Sequence, residues 1–191
     1  MGEVTIIIPV KDEEVGLEFL LDDYRSSSLK DLHDVIFIFV IDKRTSDSSK
    51  KIASEFSENV IDQEETTGKG SAVRQAIEEW RKNPTQMVVF LDADGSYSFD
   101  SVSKILHSLE QGADVVSGSR FLSGQGRPEG MSRLHNFGNR ILSTISSVRN
   151  RRKISDLCTG LWGFTSQSLM KMDVKSSGFD LEAELAGIAR R

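Results

Sequence analysis

Cysteine and histidine are scarce in this sequence, and their scarcity excludes two common kinds of stabilising site. Cys158 is the one cysteine among 191 residues, so an internal disulfide cannot form, which fits a reducing compartment. His33, His107 and His135 are the three histidines and lie far apart, so we do not expect a zinc site of the His/Cys type. A chain of this length is expected to fold as one domain, residues 1–191, around its own hydrophobic core.

An excess of basic residues and a long apolar run are absent as well. The 24 Lys and Arg residues are outnumbered by 29 Asp and Glu, which argues against a general nucleic-acid binder. No stretch approaches the roughly 20 apolar residues of a membrane-spanning helix, and the apolar run 4–10 lacks the length and the preceding basic segment of a signal peptide. We therefore expect a cytoplasmic protein without a transmembrane segment, whose contact with a membrane is at most peripheral, on the cytoplasmic face.

What the sequence does contain, up to residue 121, is an alternation of apolar runs and amphipathic stretches. The apolar runs predict strands, and the stretches between them have helical spacing. The predicted strands are 4–10, 34–42, 59–62, 87–94 and 113–121, and the predicted helices are 13–27, 46–58, 66–82 and 98–112. This alternation is typical of an α/β fold with a parallel sheet and helices on both faces. The later segments are a glycine-rich loop (122–136), an amphipathic helix (137–148), a basic cluster (149–153), a short strand with a turn (156–172) and the start of a helix (178–191).

Acidic residues follow two of the predicted strands, with Asp42 after one and the pair Asp92 and Asp94 at the end of another. Ligands of such sheets bind beyond the carboxyl ends of the strands. Residues two apart in an extended chain point the same way, so Asp92 and Asp94 are expected to face one ligand. Two carboxylates so close repel each other unless a cation lies between them, and their oxygens suit Mg²⁺ or Mn²⁺. Alternatively, Asp92 caps the next helix and Asp94 is solvated.

Three well-known ligand-binding loops do not fit the sequence. The segment that begins at Asp92 is not an EF-hand loop, because Tyr97 and Ser103 stand where a glycine and a glutamate are required. "TGKGS" is not a P-loop, because Gly70 stands where Ser or Thr is required. "GQGRPEG" has the wrong glycine spacing for a dinucleotide-binding fingerprint.

Eight segments, taken together and in order, carry a resemblance to a known family. They are "IIIPVKDEE", "FVIDKRTSDSS", "TGKGSAVRQAI", "VVFLDADGSYSFD", "DVVSGSRF", "LHNFGNRIL", "DLCTGLWGF" and "GFDLEAEL". Their order resembles that of family 2 glycosyltransferases, and within that family the dolichyl-phosphate mannosyl- and glucosyltransferases. The resemblance covers nearly the whole chain. It implies the GT-A nucleotide-diphospho-sugar transferase fold, a Rossmann-like, mostly parallel sheet flanked by helices, with a nucleotide-sugar half (1–121) and an acceptor half (122–191).

The resemblance also implies a donor site. Asp92 and Asp94 match the family's DxD motif, which binds Mg²⁺ or Mn²⁺, and the metal offsets the charge that develops on the departing nucleoside diphosphate. The other positions that match the nucleotide-sugar site are Pro9, Val10, Glu13, Asp42, Gly68, Lys69 and Ala93. Glycines such as Gly68 and Gly70 permit close backbone approach to a nucleotide.

Alternatives remain open for two of these residues. Asp42 either accepts hydrogen bonds from the base or ribose or caps the helix near residue 46, and Lys69 is either a nucleotide contact or a surface lysine. The sequence also departs from the family, because Lys43 and Arg44 follow Asp42 where a second acid and a glycine are usual. This departure leaves the base of the donor undecided.

On the acceptor side the resemblance implies contacts from Arg120, Thr159 and Gly160, with Arg133 and Arg140 as further cations. The residues implied for catalysis are Asp94, Asp156, Glu182 and Arg120, and Glu184 shares the late acidic motif with Glu182. An acid can act as general base towards a hydroxyl acceptor. A lipid phosphate is already anionic, its second pKa being about 6, and needs arginines to position it. Arg120 is otherwise a salt-bridge partner at a strand end.

The function implied is an inverting transfer of a hexose from GDP-mannose or UDP-glucose to an acceptor, foremost a polyprenyl (dolichyl) phosphate at a membrane surface. The basic cluster 149–153 is usually interpreted as a solvated helix end, and the amphipathic helix before it adds a membrane-surface patch as the alternative.

Several alternatives remain. One is a soluble transferase that acts on a small phosphorylated acid or a hydroxyl. Another is a catalytically silent nucleotide-binding module. A metal-free sugar nucleotidyltransferase is disfavoured, because "IIIPVKDEE" has no glycine. The family fold normally continues past "EAEL", so we expect either a short member or one truncated at its C-terminus. The oligomeric state stays open.

Overall fold

A central sheet with helices on both faces organises the chain. The structure, a computed structural model, describes residues 2–64, 68–121, 155–178 and 180–188, and between them the helical residues 139, 141, 143, 144, 147 and 148. The strands in these ranges are β1 (Gly2–Val10), β2 (His33–Ile41), β3 (Val60–Asp62), β4 (Met87–Leu91), β5 (Val115–Ser117) and β6 (Leu161–Thr165). The labelled helices are α1 (Glu14–Ser26), α2 (Leu29–Leu32), α3 (Ser49–Phe56), α4 (Lys69–Trp80), α5 (Phe99–Glu110), α6 (Ser166–Met170) and α7 (Leu181–Ile188).

The strand order across the sheet is β3-β2-β1-β4-β6-β5. β1 runs parallel to β2 and β4, and β2 runs parallel to β3. β6 lies between β4 and β5 and is antiparallel to both. The expected mostly parallel sheet is therefore confirmed, with one reversed strand supplied by the segment in which the sequence indicated only a short strand and a turn.

The sheet is buried on both faces, as the β-branched run of β1 predicts. Ile6 and Ile8 belong to the hydrophobic cluster formed with α1, α3 and α5. Ile7, which points the other way, belongs to the cluster formed with α4, α6 and α7. All three isoleucines are fully buried, so the core fixes β1 from both sides and sets the position of its carboxyl end.

Two strand boundaries differ from the predicted ones. β4 ends at Leu91, not at residue 94, and a turn follows in which Gly95 has a φ of +72°. The premise that Asp92 and Asp94 both lie in an extended strand is therefore wrong, although both residues line the one cleft described below. β5 is also short, covering Val115–Ser117 within the predicted 113–121. Within the described ranges, no helix has the combination of length and apolarity needed to cross a bilayer.

Candidate active site

A cleft of about 710 Å³ opens at the carboxyl ends of β1, β2 and β4. Its lining comes from the ends of these strands, from the start of α4 and from α7. The nine residues that the resemblance implies for the donor site all line it: Pro9, Val10, Glu13, Asp42, Gly68, Lys69, Asp92, Ala93 and Asp94. Glu182, implied for catalysis, lines it as well. The topology thus brings together residues that are widely separated in the sequence.

Lys69 lies between two carboxylates at the centre of this cleft. Its Nζ is 2.6 Å from Asp92 Oδ1 and 2.8 Å from Glu182 Oε1. Burial alone would lower the pKa of the Lys69 ammonium, but the two carboxylates outweigh burial and raise it above its usual value. Lys69 is therefore charged at neutral pH. Its side chain is only 20% exposed, so the surface-lysine alternative is wrong.

The turn that carries Asp92 and Asp94 is held by two glycines. Gly16 of α1 packs against it so closely that a Cβ added there would lie 2.6 Å from the carbonyl oxygen of Ala93. Gly160 accepts a hydrogen bond from the Asp92 N–H at 3.1 Å, and a Cβ added at Gly160 would overlap Asp92 Oδ2. Gly160, implied as an acceptor residue, thus lies directly against Asp92. A glycine inside helix α1 was the available signal for Gly16, and sequence reasoning missed it.

Asp92 does not cap the helix that follows it. The N-terminal N–H of α5, at Phe99, instead donates to Asp23 Oδ2 at 2.6 Å. Asp94 is exposed, and its Oδ1 accepts from the N–H of Ser96 at 2.9 Å. The alternative that Asp92 caps the following helix is therefore wrong. The exposure of Asp94 agrees with the alternative in which this side chain is solvated.

Negative charge dominates the cleft. The acids in its lining are Glu13, Asp42, Asp92, Asp94 and Glu182, against the cations Lys11, Arg44 and Lys69. Burial raises the pKa of Glu13, and the charges of Asp94 and Asp92 raise it further. Mg²⁺ and Mn²⁺ sites at nucleotides typically use one or two carboxylates together with substrate phosphates. The acids of the turn fit such a site, although the described residues contain no ready cluster of three or more His, Cys, Asp or Glu ligands.

Asp42, at the end of β2, is held by Arg44. Its Oδ1 accepts from the Arg44 N–H at 2.8 Å and from Nε at 3.0 Å, and its Oδ2 accepts from Nη2 at 3.0 Å. These hydrogen bonds hold the pKa of Asp42 below its ordinary value. The proposed cap of the following helix is wrong, because at α3 it is Asp47 Oδ1 that accepts from the N–H of Ser49. Both carboxylate oxygens of Asp42 thus face a cation that the family pattern does not contain.

Gly68 and Gly70 are required by the protein's own backbone. A Cβ added at either glycine would overlap the carbonyl oxygens of Ser177 and Ser176, respectively. Gly68 has a φ of +142°, which only glycine adopts readily. Both glycines therefore admit the loop before α7, a role that the sequence did not indicate, and Gly68 also lines the cleft.

Arg120 and Asp156 form a second, deeper ion pair. Asp156 Oδ2 accepts from Arg120 Nε at 2.8 Å, and Oδ1 accepts from Arg120 Nη2 at 2.9 Å and from Asn139 Nδ2 at 2.7 Å. The Asp156 side chain is fully buried. The salt-bridge alternative for Arg120 is thus the one observed, and Asp156 has no exposed atom with which to act on a substrate.

Two other predicted site residues also have structural partners. Thr159 is fully buried, and its hydroxyl lies 2.7 Å from that of Tyr97, so it has no exposed atom for an acceptor. Glu184 accepts from the N–H groups of Lys175 and Ser176 at 2.9 and 2.8 Å, which separates its role from that of Glu182. Arg133, Arg140 and the basic cluster 149–153 lie outside the described residues.

Comparison with known sequences decides the family. A profile described as glycosyl transferase family 2 matches residues 5–172. The chain belongs to this family. Glycosyltransferase AglJ of Haloferax volcanii is 32% identical to this family 2 chain over 183 residues, which are 96% of the chain and 57% of AglJ. Dolichol-phosphate mannosyltransferase of Pyrococcus furiosus is 24% identical over 191 residues, 96% of the chain and 52% of that protein. The family 2 chain therefore spans little more than half the length of these two relatives.

Similarity to solved structures identifies the fold. Glucosyl-3-phosphoglycerate synthase from Mycobacterium tuberculosis, in complex with Mn²⁺, UDP-glucose and phosphoglyceric acid, superposes with a TM-score of 0.71 at 16% identity. The match covers 96% of the family 2 chain and 63% of the synthase. At this identity the likeness shows the fold alone, and it confirms the GT-A fold expected from the sequence.

Proposed function

We propose that this chain is the catalytic domain of an inverting hexosyltransferase that moves a sugar from a nucleotide-sugar to the phosphate of a polyprenol such as dolichol. The observation that carries the proposal is the cleft in which all nine positions matching the family's donor site lie together. Family membership supports the reaction type. The similarity to a protein named dolichol-phosphate mannosyltransferase supports the acceptor.

In the proposed reaction the bond between the anomeric carbon and the diphosphate breaks, and the nucleoside diphosphate leaves with the electron pair. An oxygen of the acceptor phosphate forms the new bond to the anomeric carbon from the opposite side. Because a phosphate monoester is already anionic near neutral pH, its second pKa being about 6, the attack needs no general base. Glu182 would take that role only towards a hydroxyl acceptor.

The donor-side residues receive their roles from their positions in the cleft. Asp92 and Asp94 would hold Mg²⁺ or Mn²⁺, and the metal, when bound, neutralises charge on the diphosphate. Glu13 and Asp42, with Pro9 and Val10, would line the space for the nucleoside, since they lie at or just beyond the carboxyl ends of β1 and β2.

On the acceptor side we assign Arg120 and Asp156 a positioning role. Their buried pair holds the segment that begins at Asp156 and ends with Gly160 against Asp92. Arg133 and Arg140 remain the predicted contacts of the acceptor phosphate.

A second candidate is transfer to a small phosphorylated acid. The similarity in fold to a synthase crystallised with UDP-glucose and phosphoglyceric acid favours it, because the acceptor there is also a phosphorylated anion. A third, a nucleotide-binding domain without activity, is motivated by Arg44, which occupies both oxygens of Asp42.

The test begins with donor binding. We would titrate the protein with GDP-mannose, UDP-glucose, GDP and UDP by calorimetry, with Mn²⁺ and with EDTA, and repeat the titration with Asp92→Asn. We expect one nucleotide-sugar to bind only with metal, and Asp92→Asn to weaken that binding about 100-fold, because the variant loses a direct ligand. Asp100→Asn, at an exposed pair with Lys104 far from the cleft lining, is the control and should bind as the parent does.

Turnover then separates the candidates. Labelled donor is incubated with the protein and with dolichyl phosphate in bilayer vesicles or with 3-phosphoglycerate in solution. Product on the lipid supports the first candidate and product on the acid supports the second. Metal-dependent binding without transfer or hydrolysis would support the silent domain, and no nucleotide binding at all by the folded protein would contradict all three.

A further inference from the structure

The Lys69 ammonium occupies the side of Asp92 that a metal ion would need. Asp92 Oδ2 lies so close to Gly160 that no room exists between them even for a methyl carbon. The other oxygen, Oδ1, is the one that Lys69 contacts, at 2.6 Å. Gly160 thus closes one side of Oδ2, and a cation that approaches Oδ1 from the cleft meets Lys69 there.

The backbone beneath Lys69 is fixed. Gly68 and Gly70 on either side of it pack against the carbonyl groups of Ser177 and Ser176, in contacts that leave no space for a side chain. Gln63 Nε2 donates to the Gly68 carbonyl oxygen at 3.1 Å. The long side chain above this backbone has several rotatable bonds and carries a compact charge, so it can change partners while its Cα stays in place.

Glu182 can keep the Lys69 ammonium paired when a metal ion binds Asp92. Its Oε1 is 2.8 Å from Lys69 Nζ, and its side chain is only 11% exposed. The Arg44 guanidinium donates to both carboxylate oxygens of Asp42, so its partner is Asp42 and not Asp92. Lys11, the other cation of the cleft lining, is exposed and carries the same charge, which makes it a matched control.

We propose that Lys69 is the protein's own counter-cation for Asp92, that it competes with a divalent metal for Asp92 Oδ1, and that it moves to the diphosphate when metal and nucleotide bind together. The inference rests on the proposed function, since it assumes a metal-dependent donor site. Its consequence is a binding order: the metal alone binds weakly, and metal with nucleoside diphosphate binds well because the displaced ammonium gains the phosphates as partners.

The test measures Mn²⁺ alone, without nucleotide, by the loss of its electron paramagnetic resonance signal on binding. Lys69→Met should bind Mn²⁺ about tenfold more tightly than the parent, a difference of about 1.4 kcal/mol, because the competitor is gone. Lys11→Met removes the same charge from the same cleft and should change Mn²⁺ affinity less than about twofold, since Lys11 is exposed and exposed charges are screened by salt. Lys69→Met should also bind GDP or UDP about tenfold more weakly in the presence of metal, because a phosphate partner is lost.

A second measurement needs no variant, so it tests the proposal even if Lys69→Met does not fold. The parent is labelled with an amine-acylating reagent, and the modification of Lys69 and Lys11 is compared by mass spectrometry. Addition of Mg²⁺ alone should increase the labelling of Lys69 relative to Lys11, and further addition of GDP or UDP should protect it.

Equal Mn²⁺ affinity of the parent and Lys69→Met, or Lys69 labelling that bound Mg²⁺ does not change, would contradict the competition and leave the proposed function standing. A failure of every nucleotide-sugar to bind, with Mn²⁺ affinity raised in Lys69→Met, would contradict the proposed function and uphold the competition. No Mn²⁺ binding by the parent or the variant would contradict both.

Discussion

Two ion pairs hold aspartates near the ends of the strands, and they differ in burial, in the kind of cation and in the number of hydrogen bonds. Asp156 accepts from both arms of the Arg120 guanidinium and from Asn139, and its side chain is fully buried. Asp92 accepts from the single ammonium of Lys69, and its side chain is 29% exposed. A guanidinium fork fixes the geometry of its partner, whereas an ammonium on a flexible stem is a point charge that can change partners. Asp156 therefore holds the fold together, whereas Asp92 is accessible from the cleft.

The largest expected effect breaks the buried pair. Asp156→Asn leaves the Arg120 guanidinium without its charged partner, which should cost about 3–5 kcal/mol of unfolding free energy. In a chain of this size each kcal/mol lowers the melting temperature by about 2–4 °C. Asp100→Asn, at an exposed pair with Lys104, should cost less than about 1 kcal/mol. Thermal and urea unfolding of both variants is the measurement, and equal costs would remove the distinction between the pairs.

A smaller effect sharpens the comparison at Asp92. Gly160→Ala inserts a methyl group against Asp92 Oδ2, so it should displace the acid, cost about 1–3 kcal/mol of stability and weaken metal-dependent nucleotide binding. Gly187→Ala is the matched control, because no atom of the described part of the chain lies within 4 Å of a Cβ at that helical position. The control should raise stability by about 0.5–1 kcal/mol, as alanine favours a helix over glycine. Unchanged nucleotide binding by Gly160→Ala, in calorimetry, would show that the Gly160–Asp92 contact does not position the acid.

The smallest effect concerns a third pair, Asp42 with Arg44, which is exposed on its arginine side. Arg44→Ala should raise the pKa of Asp42 towards its ordinary value, because the hydrogen bonds that lower it are lost. A depressed carboxyl pKa contributes stability at pH values above that of the unfolded state, and this contribution is lost as the pH falls through the folded-state pKa. The variant should therefore lose less stability than the parent between neutral pH and acid. Carboxyl-selective NMR titration checks the direction, and a pKa of Asp42 that stays unchanged would refute it.

The sequence predicted the parts of the fold that local pattern determines. The β-branched run of β1 indicated a strand buried on both faces, and the strand and helix order up to residue 121 followed from hydrophobic spacing. The direction of β6 did not follow, because antiparallel pairing with β4 and β5 depends on contacts with distant residues. The end of β4 was misplaced because the predicted strand was extended through residues 92–94, although the apolar run ends at Leu91 and Gly95 marks the turn.

In the candidate site, too, local pattern predicted some features, whereas others depend on contacts between distant residues. Matching motifs identified the residues that line the cleft, but not their mutual contacts. Lys69 and Glu182 are 113 residues apart, and nothing near either of them indicates that one ammonium lies between two acids. The departure at Arg44 was visible in the sequence, but its hydrogen bonds to both oxygens of Asp42 depend on how the turn after β2 folds.

The reversed strand β6 also constrains how the molecule is assembled. It lies between β4 and β5, yet it comes last of the six strands along the chain. On the ribosome, β1 to β4 emerge early and leave one edge of β4 without a partner until residues 161–165 have been made. Such an edge is prone to pair with other chains. The edge of β4 is thus covered only after the whole segment between β4 and β6 has been made, and until then it is open to pairing with other chains.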